Sequence, residues 1–381
     1  MTIDRDNMPE DEVIRDLPES YFELVAKPHI GDETFKTQPI GFYKDALIRF
    51  TKNRVSVLSF WMIVGIIFLS IVAPYFNEYT FVQQHIGLRD MPPRIPFLEK
   101  HGIAAGNRLL TNRRLSSISE YPQEAIIEIH NERVVNGIAI ADVLVDFYAL
   151  RGAKDMYFWF GSDYLGRDLF TRLFWGSRIS LLIAFVAVIT NVFIGVVYGS
   201  IAGYYGGRTD MLMMRFAEIL SGIPYLVVVM LFILLFGTGM GSIIFALTVT
   251  GWIGSARLIR AQFYRFKGRE YVLAARTLGV PDKKLMFRHI LPNSIGPIIT
   301  RAMISIPGAI FSEAFLAFIG LGLQAPNPSI GVLLADGQKV LLQYPYQVLF
   351  PAVLISVLMV SFNLFANGLR DALDPTQRGE V

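Results

Sequence analysis

The sequence predicts an all-α integral membrane protein with six transmembrane helices and a small mixed α/β insert. Two observations lead to that prediction. Of the 381 residues, 53% are hydrophobic and only 18% are charged, a balance too apolar for an ordinary soluble domain. The chain also holds several uncharged runs of about 20 residues, the length that crosses a bilayer as a helix. Each run should be helical, because unpaired backbone polar groups are not tolerated in lipid.

The apolar runs follow one another along the chain and give the six spans. The run 219–256 is too long for one helix, and the glycine-rich stretch 237–241 in its middle predicts two helices joined by a tight turn. Pro224 and Pro307 are expected to kink the third and fifth spans. The runs are residues 55–76, 179–207, 219–256, 295–318 and 348–369.

Basic residues indicate the orientation of these spans. Lys and Arg precede the first span, and nine of them lie between residues 257 and 288, in the connection between spans 4 and 5. The positive-inside rule therefore predicts that both termini are cytoplasmic. The predicted organisation is a cytoplasmic tail and interfacial segment at 1–54, a first span at 55–76, an extracytoplasmic insert at 77–178, a helical core with five spans at 179–370, and a cytoplasmic tail at 371–381.

The N-terminus is not expected to be a signal peptide, because residues 1–19 are acidic and lack an apolar run. The insert should be a small α/β subdomain. Residues 124–135 have strand-like composition, whereas Ile138, Val143, Leu144, Phe147 and Tyr148 recur at roughly helical spacing. Such a subdomain would be either a structural lid over the outer mouth or a docking surface for a partner or substrate.

The sequence shows no energy-converting or catalytic site. It lacks a G-x-x-x-x-G-K-[ST] phosphate loop, an H-E-x-x-H zinc motif and a G-x-S-x-G nucleophile elbow. It has no cysteine, and its five histidines are scattered, so no metal site is expected. The basic connection is better explained by membrane topology than by nucleic-acid binding.

The connection itself predicts a helix, a glycine turn and a second helix. Residues 270–278 are good helix formers, and Gly279 follows as a left-handed cap. Pro281 and Asp282 would then begin the second helix. Leu291 and Pro292 end the run just before the fifth span. From the local pattern alone, an ordinary interfacial loop and a docking element are equally good interpretations.

This stretch resembles the EAA loop of bacterial ABC-transporter permeases. The family pattern is E-A-A, three residues, Gly, nine residues, Ile, one residue, Leu-Pro. Five positions fall in register, namely Ala274, Ala275, Gly279, Leu291 and Pro292. Two positions depart from the pattern, since Leu273 replaces the Glu and His289 stands at the Ile position. We refer to residues 262–293 as the EAA-like loop.

Further stretches resemble the dipeptide/oligopeptide permease subfamily, in its second permease subunit. The resemblance covers roughly residues 40–76 and 160–376 and leaves the segment 77–160 outside. The last stretch departs from its pattern, because Ala366 and Asn367 replace a Gly-Asp pair. The stretches are GSDYLGRD at 161–168, GSARLIRAQ at 254–262, EAFLAFIGLGLQAPNP at 313–328 and NLFANGLRDALDP at 363–375.

The resemblance implies an ATP-driven peptide importer of type I permease topology in a bacterial plasma membrane. The chain would pair with a homologous permease, two cytoplasmic ATPases that use ATP and Mg, and an extracytoplasmic peptide-binding protein. It would bind no cofactor itself. The resemblance assigns ATPase docking to Ala274, Ala275 and Gly279, with Arg276 and Asp282 as rim contacts. The long insert favours oligopeptides, and dipeptides, glutathione-like peptides or nickel complexes remain alternatives.

Charged residues near or within the spans are candidates for the translocation path or a gate, because a charge at membrane depth should face the bundle interior. They are Glu313, Arg301, Asp163, Arg167 and Asp168. Arg301 and Glu313 lie twelve positions apart, about 18 Å along a helix, so they cannot pair within it. Glu313 could attract a peptide's amino terminus, or pair with the partner permease or the Arg167 region.

Arg215 and Glu218, three residues apart, should form a boundary ion pair. Two other classes of function are alternatives. A self-contained secondary transporter would usually show inverted repeats, and a membrane-embedded enzyme would need a cluster of acid, base or metal-binding groups. The sequence shows neither feature, and both readings leave the loop unexplained.

Overall fold

A computed structural model describes residues 41–373, so the predictions for the N-terminal tail and for most of the C-terminal tail lie outside the described residues. The packing below is that of residues 46–373. The helices are α1 (Phe42–Lys52), α2 (Arg54–Val72), α3 (Leu115–Ile118), α4 (Phe147–Leu150), α5 (Leu169–Tyr205), α6 (Gly207–Ser221), α7 (Tyr225–Phe236), α8 (Met240–Phe266), α9 (Glu270–Thr277), α10 (Asp282–Lys284), α11 (Ile295–Phe318), α12 (Ile330–Gln338) and α13 (Tyr346–Leu373).

Within the described residues, five helices are long and apolar enough to cross a membrane, and a bent pair makes up to six. The five are α2, α5, α8, α11 together with the turns before it, and α13. The bent pair is α6 and α7, which meet at 77°. The prediction of six spans is confirmed in this form.

The third span differs from its predicted shape. We expected Pro224 to kink a continuous helix, but it stands immediately before α7 as the cap residue, and α6 ends at Ser221. Because proline has no N–H to donate, it can begin a helix more easily than interrupt one. The predicted turn at 237–241 is confirmed, since α7 ends at Phe236 and α8 begins at Met240.

The second span begins earlier than the apolar run suggested. Its helix α5 starts at Leu169 rather than residue 179 and is 37 residues long, roughly 55 Å. Arg172 and Arg178 interrupt the apolar run in the sequence. In the fold Arg172 is buried and paired with Asp163, so its charge does not end the helix.

Helices α5 and α8 approach closely along a stripe of glycines. Gly195, Gly199 and Gly203 recur every fourth residue on α5, so they share one face. A Cβ atom added at these positions would lie 2.4–2.7 Å from atoms of α8. Small residues at such a stripe let two membrane helices pack backbone to backbone. This contact positions the C-terminal end of α5 next to the EAA-like loop.

The insert contains a three-stranded antiparallel sheet in the order β1-β3-β2. Its strands are β1 (Asn107–Arg114), β2 (Ile126–Val135) and β3 (Ile138–Asp146). The predicted strand at 124–135 is confirmed as β2. The helical interpretation of residues 138–148 is wrong. Ile138, Val143 and Leu144 belong to β3, the central strand, whereas Phe147 and Tyr148 begin α4, so the apparent spacing crosses an element boundary.

Asp142 on β3 organises both outer strands. Each outer strand has a register shift opposite this part of β3, and each shift contains an asparagine with positive φ, Asn112 or Asn131. The Asn112 N–H donates to Asp142 Oδ1 at 2.8 Å, and Asn131 Nδ2 donates to Oδ2 at 3.1 Å. These two bonds hold the pKa of Asp142 below its usual value, and the bond from the Asn112 backbone has the larger effect.

Candidate functional site

The EAA-like loop folds as a helix, a glycine turn and a second helix. Helix α9 ends at Thr277, and Gly279 has φ of +76°. The Gly279 N–H donates to Arg276 O at 3.0 Å, and the Val280 N–H donates to Ala275 O at 3.1 Å. This pair of bonds is the Schellman motif, which requires a left-handed residue after the helix. The predicted cap at Gly279 is therefore confirmed.

One face of the loop is buried against the helical bundle. Val272 from α9 and Leu285 and Ile290 from the turn after α10 are fully buried. They pack with Phe263 on α8 and Tyr204 near the C-terminal end of α5. Burying three such side chains stabilises the docked loop by several kcal/mol at about 1.5–3 kcal/mol each. The loop is thus fixed to the ends of two long helices.

The opposite face of the loop is open. Ala274, Thr277 and Gly279 are exposed, and Leu278 is 84% exposed. A Cβ atom at Gly279 would meet nothing within 4 Å. Small residues around one projecting leucine give a surface that another protein can approach closely.

Arg276 and Asp282 lie on either side of the glycine turn and share one partner. The Tyr204 hydroxyl on α5 donates to Asp282 Oδ1 and accepts from Arg276 Nη2 at 3.2 Å. The Arg276 guanidinium also lies 5.5 Å from the centre of the Tyr204 ring. Tyr204 is almost completely buried. The two predicted rim contacts therefore each have an internal partner on α5.

Leu291 and Pro292 begin a short 3-10 turn, Leu291–Ser294, that leads directly into α11. Leu291 is half-buried beside the loop core, and Pro292 is exposed. These residues connect the loop to the helix that carries Arg301 and Glu313. Among the contacts of the described residues, none joins Leu291 or Pro292 to the exposed face around Leu278.

A second polar cluster joins α6 to α8 near the same end of the bundle. Asp210 on α6 accepts two bonds from the Arg260 guanidinium and one from the Tyr264 hydroxyl at 2.8 Å. Lys267 Nζ donates to Gly203 O at 3.0 Å. Sequence reasoning missed this cluster and Tyr204, because their partners are 50 or more positions apart and leave no local pattern.

Asp163, Arg167 and Asp168 come together before α5, as their motif spacing suggests, but they are buried. Asp163 Oδ1 accepts from the Leu165 and Arg167 N–H groups at 2.9 Å each. Its Oδ2 accepts from Arg167 Nε at 2.7 Å, and Arg172 Nε lies 3.5 Å away. All three charged side chains are at most 4% exposed. We call Asp163, Arg167 and Arg172 the charged clasp.

The clasp holds the insert to the membrane helices. Arg172 Nη1 donates to Phe81 O at 3.2 Å, and Asp168 caps α5 by accepting from the Thr171 N–H at 2.7 Å. Asp168 Oδ2 also accepts from Asn77 Nδ2 at 3.2 Å. Burial raises the pKa of Asp168 to about 6, because desolvation outweighs these bonds. This geometry fits anchoring, and a role in the path or a gate stays a prediction.

Glu313 lies at the centre of the bundle, apart from the clasp and from Arg301. Its side chain is fully buried, and Ser180 Oγ on α5 donates to its Oε2 at 2.8 Å. The same Ser180 oxygen accepts from the Ile330 N–H of α12 at 3.2 Å. Glu313 thus ties α11, α5 and α12 together. It forms no ion pair with the described residues, including Arg167, whose partner is Asp163.

Arg301 is the one predicted path residue whose side chain is exposed. It lines a cleft of about 410 Å³ together with residues of α5, α7, α8 and α11. Within residues 41–373 it has no acidic partner. The predicted ion pair of Arg215 with Glu218 is confirmed at 3.0 Å, and both side chains are exposed.

The described residues contain no group of three or more His, Asp or Glu side chains placed to hold a metal. The arrangement can act as a mechanical link between the exposed loop and the helical bundle. An exposed loop is fixed through Tyr204 and a packed apolar face to long helices, and those helices border a polar cleft.

The family comparisons agree with this architecture. Residues 195–379 match the family described as binding-protein-dependent transport system inner membrane component. Residues 41–93 match the N-terminal TM domain of oligopeptide transport permease C. The first match contains the EAA-like loop and the walls that α7, α8 and α11 contribute to the cleft, and the second contains α1 and α2.

Curated relatives extend the similarity over nearly the whole chain. The oligopeptide transport system permease protein OppC of Bacillus subtilis is 35% identical over 96% of this chain and 100% of its own length. The dipeptide transport system permease protein DppC of the same organism is 34% identical over 95% of this chain and 94% of its own. OppC of Escherichia coli K12 is 40% identical over 61% of this chain and 78% of its own.

Identity at this level over full length, together with the two family matches, is enough to assign the chain. It carries the type I importer permease fold, with the helices, loop and insert described above. The protein belongs to the OppC/DppC family of ABC-transporter permease subunits.

Proposed function

We propose that this chain is one of two permease subunits of an ATP-driven peptide importer, and that its EAA-like loop docks on separate ATPase subunits. The observation that carries the proposal is the division of that loop into two faces. Its apolar face is fixed to α5 and α8, whereas its other face presents Ala274, Leu278 and Gly279 to a partner. Because the sequence has no phosphate loop of its own, ATP hydrolysis in such an importer would be carried out by the separate subunits.

The loop would act as a rigid connection. Closure of two ATPases would displace the exposed face, and the contacts of Tyr204 with Arg276 and Asp282 would pass that displacement to α5. The ion pair of Arg260 with Asp210 would make α8 and α6 move together. Such rigid-body movement between two packed arrangements is how a bundle alternates access between its two sides.

Peptides are the proposed substrates, because the relatives named above are oligopeptide and dipeptide permeases. Oligopeptides are favoured by the length of the insert, and dipeptides are the alternative. Glutathione-like peptides are a further alternative, since a glutathione transport permease, GsiD of Pectobacterium atrosepticum, is 34% identical over 62% of this chain. Nickel complexes are the least supported. An extracytoplasmic peptide-binding protein would deliver the substrate.

A pull-down tests the assembly. Tagged protein is purified from native membranes in mild detergent and its partners are identified by mass. We expect a second six-span permease and one or two P-loop ATPases. Recovery of this chain alone, or only as a homo-oligomer, under several detergents would contradict the proposal and favour a self-contained secondary transporter.

The proposed orientation places both termini and the EAA-like loop in the cytoplasm and the insert outside. The cysteine-free sequence allows a direct test. Val134→Cys lies on the exposed edge strand of the insert, and Leu278→Cys lies on the exposed loop face. In spheroplasts that express this chain without its ATPases, a membrane-impermeant maleimide should label Val134→Cys at once and Leu278→Cys only after permeabilisation. The reverse pattern would contradict the orientation.

Substrate length is tested with the reconstituted importer and its binding protein. Radiolabelled dialanine, tetra-alanine and glutathione are offered separately, and ATP-dependent uptake is measured. Faster uptake of tetra-alanine would support the oligopeptide assignment. Uptake of dialanine alone would replace it with the dipeptide alternative, and uptake of glutathione alone would do the same for the glutathione alternative.

A further inference from the structure

The cleft that contains Arg301 is polar although it lies among membrane helices. Arg301 is the only charged residue among those that line it. Ser305, Gly308 and Ser312 continue the same face of α11, since they follow Arg301 at offsets of four, seven and eleven. The other walls come from α5, α7 and α8, and they include Asn191, Tyr225, Thr250 and Ser255.

Several polar atoms of this cleft have no partner within residues 41–373. Asn191 Oδ1 and the Tyr225 hydroxyl are buried and make no hydrogen bond there. Arg301 makes no ion pair there. A Cβ atom added at Gly254 would lie only 2.7 Å from Arg301 Nη2, so the absence of a side chain at this position of α8 makes room for the guanidinium. Polar groups at membrane depth are costly unless they are hydrogen-bonded, so these atoms suit a polar ligand rather than lipid.

The chemistry of the set selects the ligand. A guanidinium can donate two parallel bonds to a carboxylate, which is the strongest match for a planar fork of donors. The Tyr225 hydroxyl can donate a further bond, and Asn191 Oδ1 can accept one from a peptide N–H. The cleft extends from Arg301 to Ser312, about 16 Å along α11. That length accommodates roughly five extended residues.

We infer that this cleft binds a peptide in transit by its free carboxylate, with Arg301 as the principal ligand. The inference rests on the proposed function.

A second cavity of about 330 Å³ shares Arg301 and Ile304 with the cleft and is lined by Arg265 and Arg370. A carboxylate that leaves Arg301 would therefore meet two further cations in the direction of the α13 C-terminus.

Photo-cross-linking of the assembled transporter tests this site. The probe is the tripeptide Ala-Ala-benzoylphenylalanine, as the free acid and as the C-terminal amide, and labelled residues are mapped by mass. We expect the free acid to label the stretches of α8 and α11 around Gly251 and Ser305, and the amide to label them at least tenfold less. Arg301→Gln should reduce labelling by the free acid to the level of the amide.

Two variants control the interpretation. Arg257 is an exposed arginine of α8 outside the cleft, so Arg257→Gln should label like the wild type. Arg301→Lys keeps the charge but loses the fork, so it should retain a preference for the free acid at reduced yield. This variant decides the question if Arg301→Gln fails to assemble.

The remaining outcomes overturn the inference or the function separately. Equal labelling by acid and amide, or labelling outside the cleft, overturns the inference when the same preparation still imports tetra-alanine. If the wild type is labelled equally by acid and amide, and Arg301→Gln no longer retains the second permease, Arg301 would instead be the ion-pair partner of a carboxylate on that subunit. A wild-type transporter that imports no peptide at all would overturn the proposed function.

Discussion

The hydroxyl of Tyr204 donates a hydrogen bond to the carboxylate of Asp282, 78 positions later in the chain. Tyr204 is the next-to-last residue of the longest helix of the described chain, and Asp282 begins the second helix of the EAA-like loop. The same hydroxyl accepts from Arg276, on the other side of the glycine turn. One buried side chain therefore holds both halves of the loop, and any rotation of one half against the other must break a bond to it.

Tyr204→Phe should weaken coupling without unfolding the protein. The ring keeps its packing, and the change removes both hydrogen bonds, worth about 1 kcal/mol each. Asp282 and Arg276 remain solvated because both are exposed. We expect peptide uptake per ATP hydrolysed to fall severalfold in proteoliposomes, while basal hydrolysis changes little.

The neighbouring Tyr205 provides a matched control. It is 54% exposed and contacts Tyr204 only through its ring. Tyr205→Phe should leave the ratio of uptake to hydrolysis unchanged. If Tyr204→Phe also leaves that ratio unchanged, Tyr204 is a packing residue only, and the movement of the loop reaches α5 by another contact.

Leu278→Asp should prevent ATPase docking. Leu278 projects from the loop beside Gly279, so a carboxylate there costs the permease fold almost nothing, but it would have to be desolvated in a partner's groove. We expect the variant to reach the membrane in normal amounts and to recover less than a tenth of the ATPase in a pull-down. Leu342→Asp is the control, because Leu342 is fully exposed in the segment between α12 and α13. Normal ATPase recovery with Leu278→Asp would move the docking surface elsewhere.

Asp163→Asn should destabilise the protein strongly. Its amide would direct a donor at Arg167 Nε and leave the buried guanidinium groups of Arg167 and Arg172 without a counter-charge. Removing one partner of a buried ion pair costs about 3–5 kcal/mol. We expect a large fall in the melting temperature of the detergent-solubilised chain at neutral pH.

An exposed ion pair serves as the reference for that loss. Glu218→Gln breaks the pair with Arg215, in which both partners are more than half exposed, and should cost less than about 1 kcal/mol. Equal melting temperatures for Asp163→Asn and Glu218→Gln would mean that water reaches the clasp, as a role in the path would require.

The parts of the fold that could be predicted from sequence are those decided by neighbouring residues. Gly279 and Pro281 specify the turn of the EAA-like loop locally, and the glycines at 237–241 specify the turn before α8. The strand β3 was misread for a local reason too. Asp146 caps α4 by accepting from the Tyr148 N–H at 2.8 Å, and this boundary lies inside the stretch whose spacing looked helical.

The site required the tertiary structure wherever its partners are distant. Nothing near Tyr204 in the sequence points to Asp282, and nothing near Ser180 points to Glu313, which is 133 positions away. The charges before α5 show the same limit in another form. Asp163 and Arg167 are spaced to pair in the sequence, but only their burial in the fold shows that they face one another and Arg172 rather than an open path.

Replacing Asp168 by asparagine should change stability in the opposite direction to Asp163→Asn, although the two carboxyl groups are only five residues apart. Burial raises the pKa of Asp168 from 3.8 to about 6. Between these values the folded state holds a proton that the unfolded state has lost, so stability falls as pH rises through the window from about 4 to 6. The difference between these two pKa values corresponds to about 3 kcal/mol of folding stability lost at neutral pH.

Asp168→Asn removes that penalty and keeps the helix cap, since asparagine is as good an N-cap residue as aspartate. We expect the variant to melt higher than the wild type at pH 7 and to lose most of the decline between pH 4 and 6. Asp155→Asn, on an exposed loop of the insert, should leave that decline intact. A lower melting temperature for Asp168→Asn at pH 7 would mean that the ionised carboxylate is stabilised in place, by a cation or by water within the clasp. Both aspartates would then stabilise the fold in their ionised form at pH 7.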